Sequence, residues 1–503
     1  MNGLTNVANY TLTENGAVTH ISTRSDLLDM FAMGAAMRKR TDEDVILMFR
    51  KAFKENPSYA LKCLFYIRDI RGGQGERRFF RVCMRDLAFQ DTEAAMRNLR
   101  HVPEFGRWDD LYVFIGTPLE AAALNFMKEQ LALDIQCKTP SLLAKWLKSE
   151  NTSSAESRRL ATITRKAMGM NHKQYRKTLS VLRARINVLE RLMSENRWDE
   201  IEFDKIPSKA GMIYKNAFAR HDLQRAQSEK NVQTYEQFAK DTTKKVNAKT
   251  LYPYECVAEA IKNMCGWRSA MDDTNRLMTN KYWENLADYF QGASLNALAV
   301  VDTSASMRGT PIEVAISLGM YCAEKAQGPF AGHYVSFSSR PQLIKVEGVD
   351  FCDKVYRIWR TNLCENTDIE ATFDMLLNTA IRNKCSQDEL PQNIIVISDM
   401  EFDQARGRYR YDWASRSYIS NGAETETLME GIARKWAAAG YQMPKLIFWN
   451  VDARQNNIPM KLEHGISFVS GFSPSIFQQI MSGKTAMDLM YEVLNQKRYE
   501  VIC

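Results

Sequence analysis

Five short, nearly continuous apolar runs, at residues 297–301, 333–337, 393–397, 445–449 and 465–469, alternate with helix-periodic stretches at 311–327, 367–383, 424–440 and 473–496. Strands that are apolar along their whole length are buried on both faces, and strands separated by helices run parallel. The pattern therefore predicts a doubly wound α/β layer in the second half of the chain. The first half has no such runs. From residue 25 to about 206, apolar residues recur at three- and four-residue spacing with short breaks, which predicts an α-helical, HEAT-like array without a strict repeat period. Ser25, Asn56-Pro57 and the Gly72-Gly73-Gln74-Gly75 turn punctuate these helices, and the polar stretch 222–250 reads as a linker or an exposed helix. The expected fold class is α plus α/β, with a helical domain over 1–290 and an α/β domain over 291–503.

Composition narrows the function classes. Over 503 residues, 45% hydrophobic and 25% charged describes a folded chain and excludes extended disorder. No apolar run reaches the roughly 20 residues of a membrane span, and the polar start is unlike a secretory signal, so a cytoplasmic protein is expected. Ten cysteines without a Cys-x-x-Cys pair read as reduced thiols, and six histidines show no metal-ligand spacing. Charge is unevenly placed. Residues 1–290 hold 46 Lys and Arg against 36 Asp and Glu, whereas 291–503 hold 21 against 24. The surplus concentrates in 151–250, with 21 basic residues against 11 acidic ones, which suggests a polyanionic partner.

Two sets of residues carry chemistry. Where the first apolar run ends, Asp302-Thr303-Ser304-Ala305-Ser306 brings a carboxylate and hydroxyls to the carboxyl edge of the expected sheet, where ligands of open α/β sheets bind. Thr367, in Asn366-Thr367-Asp368 before a helix, and Asp399, directly after the run 393–397, belong to the same edge. Oxygen donors with few charges suit magnesium better than calcium, and the plain alternative is that these residues cap helices. Between Arg158 and Arg185 stand Arg158, Arg159, Arg165, Lys166, Lys173, Arg176, Lys177, Arg183 and Arg185, with no acidic residue and with His172 among them. They are the expected RNA-binding residues, and a solvated helix face is the alternative.

The second half resembles a von Willebrand factor A domain with a complete metal-ion-dependent adhesion site. That resemblance implies metal-binding roles for Asp302, Ser304, Ser306, Thr367 and Asp399, with a carboxylate from a protein partner completing the shell. The segments 68–77 (RDIRGGQGER), 105–111 (FGRWDDL), 141–147 (SLLAKWL) and 206–211 (IPSKAG), followed by the adhesion-site domain, resemble the Ro autoantigen family and its telomerase, Ro and vault (TROVE) module, in particular an uncharacterised bacterial, plant and phage branch. The resemblance implies a ring of helical repeats closed by the A domain, single-stranded ends of RNA in the hole and structured small RNA outside. A non-catalytic RNA-binding ribonucleoprotein scaffold, as a monomeric ring or an oligomer of unknown size, is the expected function. A protein-interaction or structural component, such as a phage-encoded one using the metal site as its contact surface, is the alternative. No nucleophile, base and orienting group occur in a readable pattern, so catalysis is not expected. The run Ser482-Gly483-Lys484-Thr485 lacks the first glycine and the preceding strand of a nucleotide-binding loop, and no nucleotide is expected.

Overall fold

The computed structural model describes residues 9–186, 188–228, 230, 232–264, 273–290, 296–336, 341–361, 367–403, 409–412, 417–420, 427–461, 465–480 and 485–503. Phe337, Asn366 and Ser482 to Lys484, invoked above, lie outside them. The protein is mostly helical with one six-stranded mixed sheet. In space the chain forms two compact units, one of 1–63 with 251–496 and one of 64–250 with 497–503. This division differs from the one drawn at 290/291. The patterning boundary marks where strands begin, whereas compaction groups the first 63 residues with the sheet.

In the first unit, β1 (Tyr10–Leu12) and β2 (Val18–His20) form an antiparallel hairpin. The six-stranded sheet comprises β3 (Ala297–Val301), β4 (His333–Ser336), β5 (Gln342–Lys345), β6 (Asn393–Ser398), β9 (Lys445–Asn450) and β10 (Ile466–Ser470). Strands β7 (Tyr409–Asp412) and β8 (Ser417–Ser420) pair separately. The sheet order is β10-β9-β6-β3-β4-β5, with β5 antiparallel to β4 and all other pairs parallel. All five predicted strands form, and β5 is an addition. Its residues are mostly exposed, so it carries no apolar run to announce it. Every residue of β3, β6 and β10 is buried. Alternate residues of a strand face opposite sides, so both faces of the sheet are covered.

The helix Thr310–Lys325 lies against β3, and a Cβ added at Gly319 would meet Val301 Cγ2 at 2.3 Å. Helices Ile369–Asn383 and Leu428–Ala438 form near the predicted places, while the stretch 473–496 is broken into Pro474–Ile476, Phe477–Ile480 and Ala486–Leu494. The helix Asp26–Met33 starts at Ser25, whose hydroxyl accepts from Leu28 N at 3.2 Å, and it packs beside β10, where Ser470 Oγ donates to Phe31 O.

The second unit is a succession of short helices. Helix Pro57–Arg68, which leads into it, ends in the glycine turn. A Cβ on Gly73 would stand 2.0 Å from Tyr66 O, and Gly75 has φ +65°, so the turn needs glycine for space at one position and for conformation at the other. At the core, buried Arg68 donates twice to Asp110, 2.9 and 2.7 Å away. The stretch 222–250, read as a linker or an exposed helix, holds helices Asp222–Ala226 and Tyr235–Lys240, and these are not wholly exposed, because Tyr235 and Phe238 join Phe203 and Phe218 in an aromatic cluster. The last seven residues return to this unit. Tyr499 is fully buried against Phe105, and its hydroxyl donates to Asp69. Among the described residues no helix is long and apolar enough to cross a membrane.

Candidate functional site

Counted along the sheet, the six strands follow the order 3-2-1-4-5-6, so connections leave in opposite directions from β3 and its neighbour β6. The crevice beyond the carboxyl ends at such a switch point is where α/β sheets bind ligands. Asp302 follows β3 and Asp399 follows β6, which places two buried carboxylates on the two sides of that crevice.

The local geometry holds each of them. Asp302 N donates to Ile397 O, and the Asp302 carboxylate accepts from Ser304 N at 2.9 Å through Oδ1 and from Ser398 Oγ at 2.6 Å through Oδ2. Ser304 and Ser306 exchange a hydroxyl hydrogen bond of 2.9 Å across the one-turn helix Ala305–Met307. Met400 turns the chain after β6 with φ +66°, a left-handed conformation unfavourable for a non-glycine residue and held here by Met400 N donating to Ser398 Oγ. Glu401 N then donates to Asp399 Oδ1 at 3.1 Å. Thr367 precedes Asp368, whose side chain caps the helix Ile369–Asn383.

The N-terminal segment closes this edge, which the sequence did not announce. Thr13 Oγ1 donates to Phe402 O, Glu14 N to Glu401 Oε2, and Asn15 Nδ2 to both Glu401 O, at 2.7 Å, and Thr367 Oγ1, at 3.4 Å. Arg454, beyond β9, donates to Asp399 Oδ2 at 2.8 Å and pairs with Glu14 at 2.6 Å. All five predicted ligands thus lie along one connected set of hydrogen bonds and adjoining residues. Glu14, Asn15, Glu401 and Arg454 join them unpredicted. Glu401, two residues after Asp399, was within reach of sequence reasoning; the other three come from distant parts of the chain.

Negative charge exceeds positive charge in this crevice. Burial, and then the charge of Asp399, pushes the Asp302 carboxyl up to about 7. Burial likewise pushes Glu401 up to about 7, with Asp399 and Glu14 adding to the effect. The Thr303 hydroxyl is buried and has no hydrogen-bond partner among the described residues. Oxygen-only donors and carboxyls that are short of a counter-charge fit a hard divalent cation. Among the described residues no three His, Cys, Asp or Glu side chains gather as a metal cluster, so a cation here would rely on hydroxyls besides the two carboxylates.

The predicted RNA-binding residues divide into two groups. The helices Ala155–Ala167 and His172–Arg185 carry them. Arg159 pairs with Glu156, and Arg165 and His172 both pair with Glu150, just before the acid-free stretch. Arg158 donates to the carbonyls of Thr152 and Ser153, and Arg185 to those of Ile135 and Cys137. Arg183 is consumed by the fold, donating to Ala144 O, Leu147 O and Ser149 Oγ, and burial holds it below the usual arginine range. The remaining four, Lys166, Lys173, Arg176 and Lys177, are exposed, and their side chains make no ion pair or hydrogen bond among the described residues. Lys173, Arg176 and Lys177 share one face, opposite the buried Tyr175, Leu179 and Leu182.

A family model described as a domain of unknown function (DUF2828) matches residues 13–166 and 132–294, and another domain of unknown function (DUF7788) matches residues 296–501. The two models meet beside the change in patterning at 290/291. An uncharacterised protein of Acanthamoeba polyphaga mimivirus is 30% identical over 525 residues, which cover 97% of this chain and 88% of that protein. The crystal structure of the Deinococcus radiodurans Ro (RSR) protein aligns with 94% of this chain and 99% of that chain at 14% identity and a TM-score of 0.41, a likeness too distant to carry an argument. On the extent of the DUF2828 match and of the mimivirus relative, the chain belongs to the DUF2828 family.

Proposed function

We propose that the protein is a non-catalytic, RNA-associated scaffold of Ro type. In this reading the HEAT-like helical unit binds RNA, and the α/β unit acts as a von Willebrand factor A-type module that recruits a protein partner. The observation that carries the reading is the exposed face of Lys173, Arg176 and Lys177, three cations within two helical turns and without a carboxylate partner. Like charges so placed repel one another and favour a polyanion. The motifs at 68–77, 105–111, 141–147 and 206–211 add the Ro resemblance.

For the α/β unit the support is the strand order, the antiparallel edge strand β5 and the donors at the switch point. Asp302, Ser304, Ser306, Thr367 and Asp399 would hold magnesium, leaving a coordination position for a partner's carboxylate. Bound there, the cation would supply a positive charge for binding. Asp302 and Asp399 would then be engaged by the metal and could not themselves act as the base of a hydrolytic reaction.

RNA binding is tested by fluorescence anisotropy of a labelled RNA on the full chain across a salt series. Charge reversal at Lys173, Arg176 and Lys177 together should weaken binding and lower the log–log salt slope by about 2, at ~0.7 per phosphate of a single strand. An unchanged slope in that triple variant would reject the helix face as the RNA contact.

A further inference from the structure

The helical unit carries a second concentration of positive charge, gathered around Asp109 and Asp110. Arg68 is tied to Asp110 Oδ2 by two hydrogen bonds, and Arg81 reaches Asp110 Oδ1 at 2.7 Å and Asp109 Oδ2 at 3.1 Å. Arg107 donates to both oxygens of Asp109, at 2.8 and 2.6 Å, and Lys148 Nζ stands 3.9 Å from the same carboxylate. Two carboxylates therefore already answer four cations. Arg77 is exposed at the start of helix Arg78–Gln90, where its carbonyl accepts from Arg81 N at 3.0 Å, and its side chain makes no hydrogen bond or ion pair among the described residues. Protein packed around it, and then the charges of Arg107, Arg81 and Arg68, hold its guanidinium below the usual arginine range.

Free surface cations relieve repulsion by swinging apart. Arg68, Arg81 and Arg107 cannot, because each is fixed by two hydrogen bonds to the Asp109 and Asp110 carboxylates, Arg81 by one to each. The repulsion on Arg77 is thus built into the fold, and an anion would relieve it.

The chain next to the cluster leads toward the helix proposed above to bind RNA. Arg107 lies over the Trp146 ring, 3.9 Å from its centroid. Two residues on, Lys148 O accepts from Tyr175 OH at 2.9 Å, and Glu150 meets His172 at 2.9 Å. A strand of nucleic acid touching Lys173, Arg176 and Lys177 has a second basic landing point on the same unit.

We propose that Arg77, flanked by Arg81 and Arg107, binds a backbone phosphate of an RNA strand as a second contact point on the same helical unit as the His172–Arg185 face. The proposal rests on the RNA-binding reading and names a further site for it. Free phosphate has the same chemistry, so the test separates the two sources.

The full chain is titrated against a labelled single-stranded oligouridylate at several salt concentrations, as wild type, Arg77→Glu, Arg77→Lys and Lys138→Glu. Lys138 is exposed and serves as a charge control. Arg77→Glu should weaken binding several-fold more than Lys138→Glu and lower the salt slope by about 0.7, the share of one phosphate. Arg77→Lys, which keeps the charge where no partner is lost, should stay within about twofold of wild type. If Arg77→Glu matches Lys138→Glu in affinity and slope while the triple variant at 173, 176 and 177 loses binding, this site is rejected and the RNA reading stands. If wild type binds no oligouridylate at low salt, both fall. If pyrophosphate binds in an Arg77-dependent manner while Arg77→Glu leaves the RNA isotherm unchanged, the site belongs to free phosphate and the RNA assignment is overturned.

Discussion

Asp302 has both carboxylate oxygens engaged, by Ser304 N and Ser398 Oγ, and still feels the charge of Asp399, which Arg454 pairs with. Removing it takes away one of the two candidate carboxylate ligands, and hydroxyls with the other compete poorly with magnesium's water shell. Calorimetry of the full chain should record magnesium binding by wild type and none by Asp302→Ala; superimposable isotherms would reject the metal assignment. At this scale the sequence was readable where residues are close in the chain, as in Asp302-Thr303-Ser304-Ala305-Ser306. It was silent about Arg454, which meets Asp399 from 55 residues away and Glu14 from the far end of the chain. The basic stretch shows the same limit from the other side. Nine cations without an intervening acid looked uncompensated, yet Glu156, just before the stretch, pairs with Arg159 one turn along the same helix, and Glu150 pairs with Arg165 and His172 from outside both helices.

At the scale of elements, periodicity identified the buried strands because burial on both faces requires apolar side chains throughout. The same logic missed β5, an edge strand that faces water, and the hairpin β1–β2, whose three-residue strands are too short to show a period. Gly319 shows how closely one helix approaches the sheet. Its missing side chain gives room to Val301, the residue before Asp302, so Gly319→Ala forces a buried β-branched side chain to move. Overpacking of this kind typically costs about 1–3 kcal/mol. Urea unfolding followed by circular dichroism should show a loss of that size for Gly319→Ala, and a variant as stable as wild type would mean that the contact yields without cost. Because β3 carries the candidate ligand at its end, the same variant should bind magnesium more weakly.

At the scale of the whole molecule, the chain passes between its two compact units three times, after residues 63, 250 and 496. Cutting at 290 would therefore leave residues 1–63 without the sheet they fold with and the helical unit without its last seven residues. Those residues anchor firmly. Tyr499 stacks on Phe105 with ring centroids 5.6 Å apart, Arg498 pairs with Asp69, and Cys503 N donates to Asn98 Oδ1. Tyr499→Ala should destabilise the helical unit by about 3 kcal/mol or more, the typical cost of truncating a buried aromatic side chain. Native-state hydrogen exchange should locate the loss in 64–250, and uniform protection there would contradict the anchoring role. The sequence by itself determined the two kinds of secondary structure, where strands begin and the motif at the end of β3, because local periodicity and turn chemistry encode them within a few residues. Only the tertiary structure decided that the N-terminal segment closes the crevice, that Arg454 answers Asp399, and which cations stay free. Those outcomes depend on which distant side chains come within hydrogen-bonding reach, and no local pattern records that proximity.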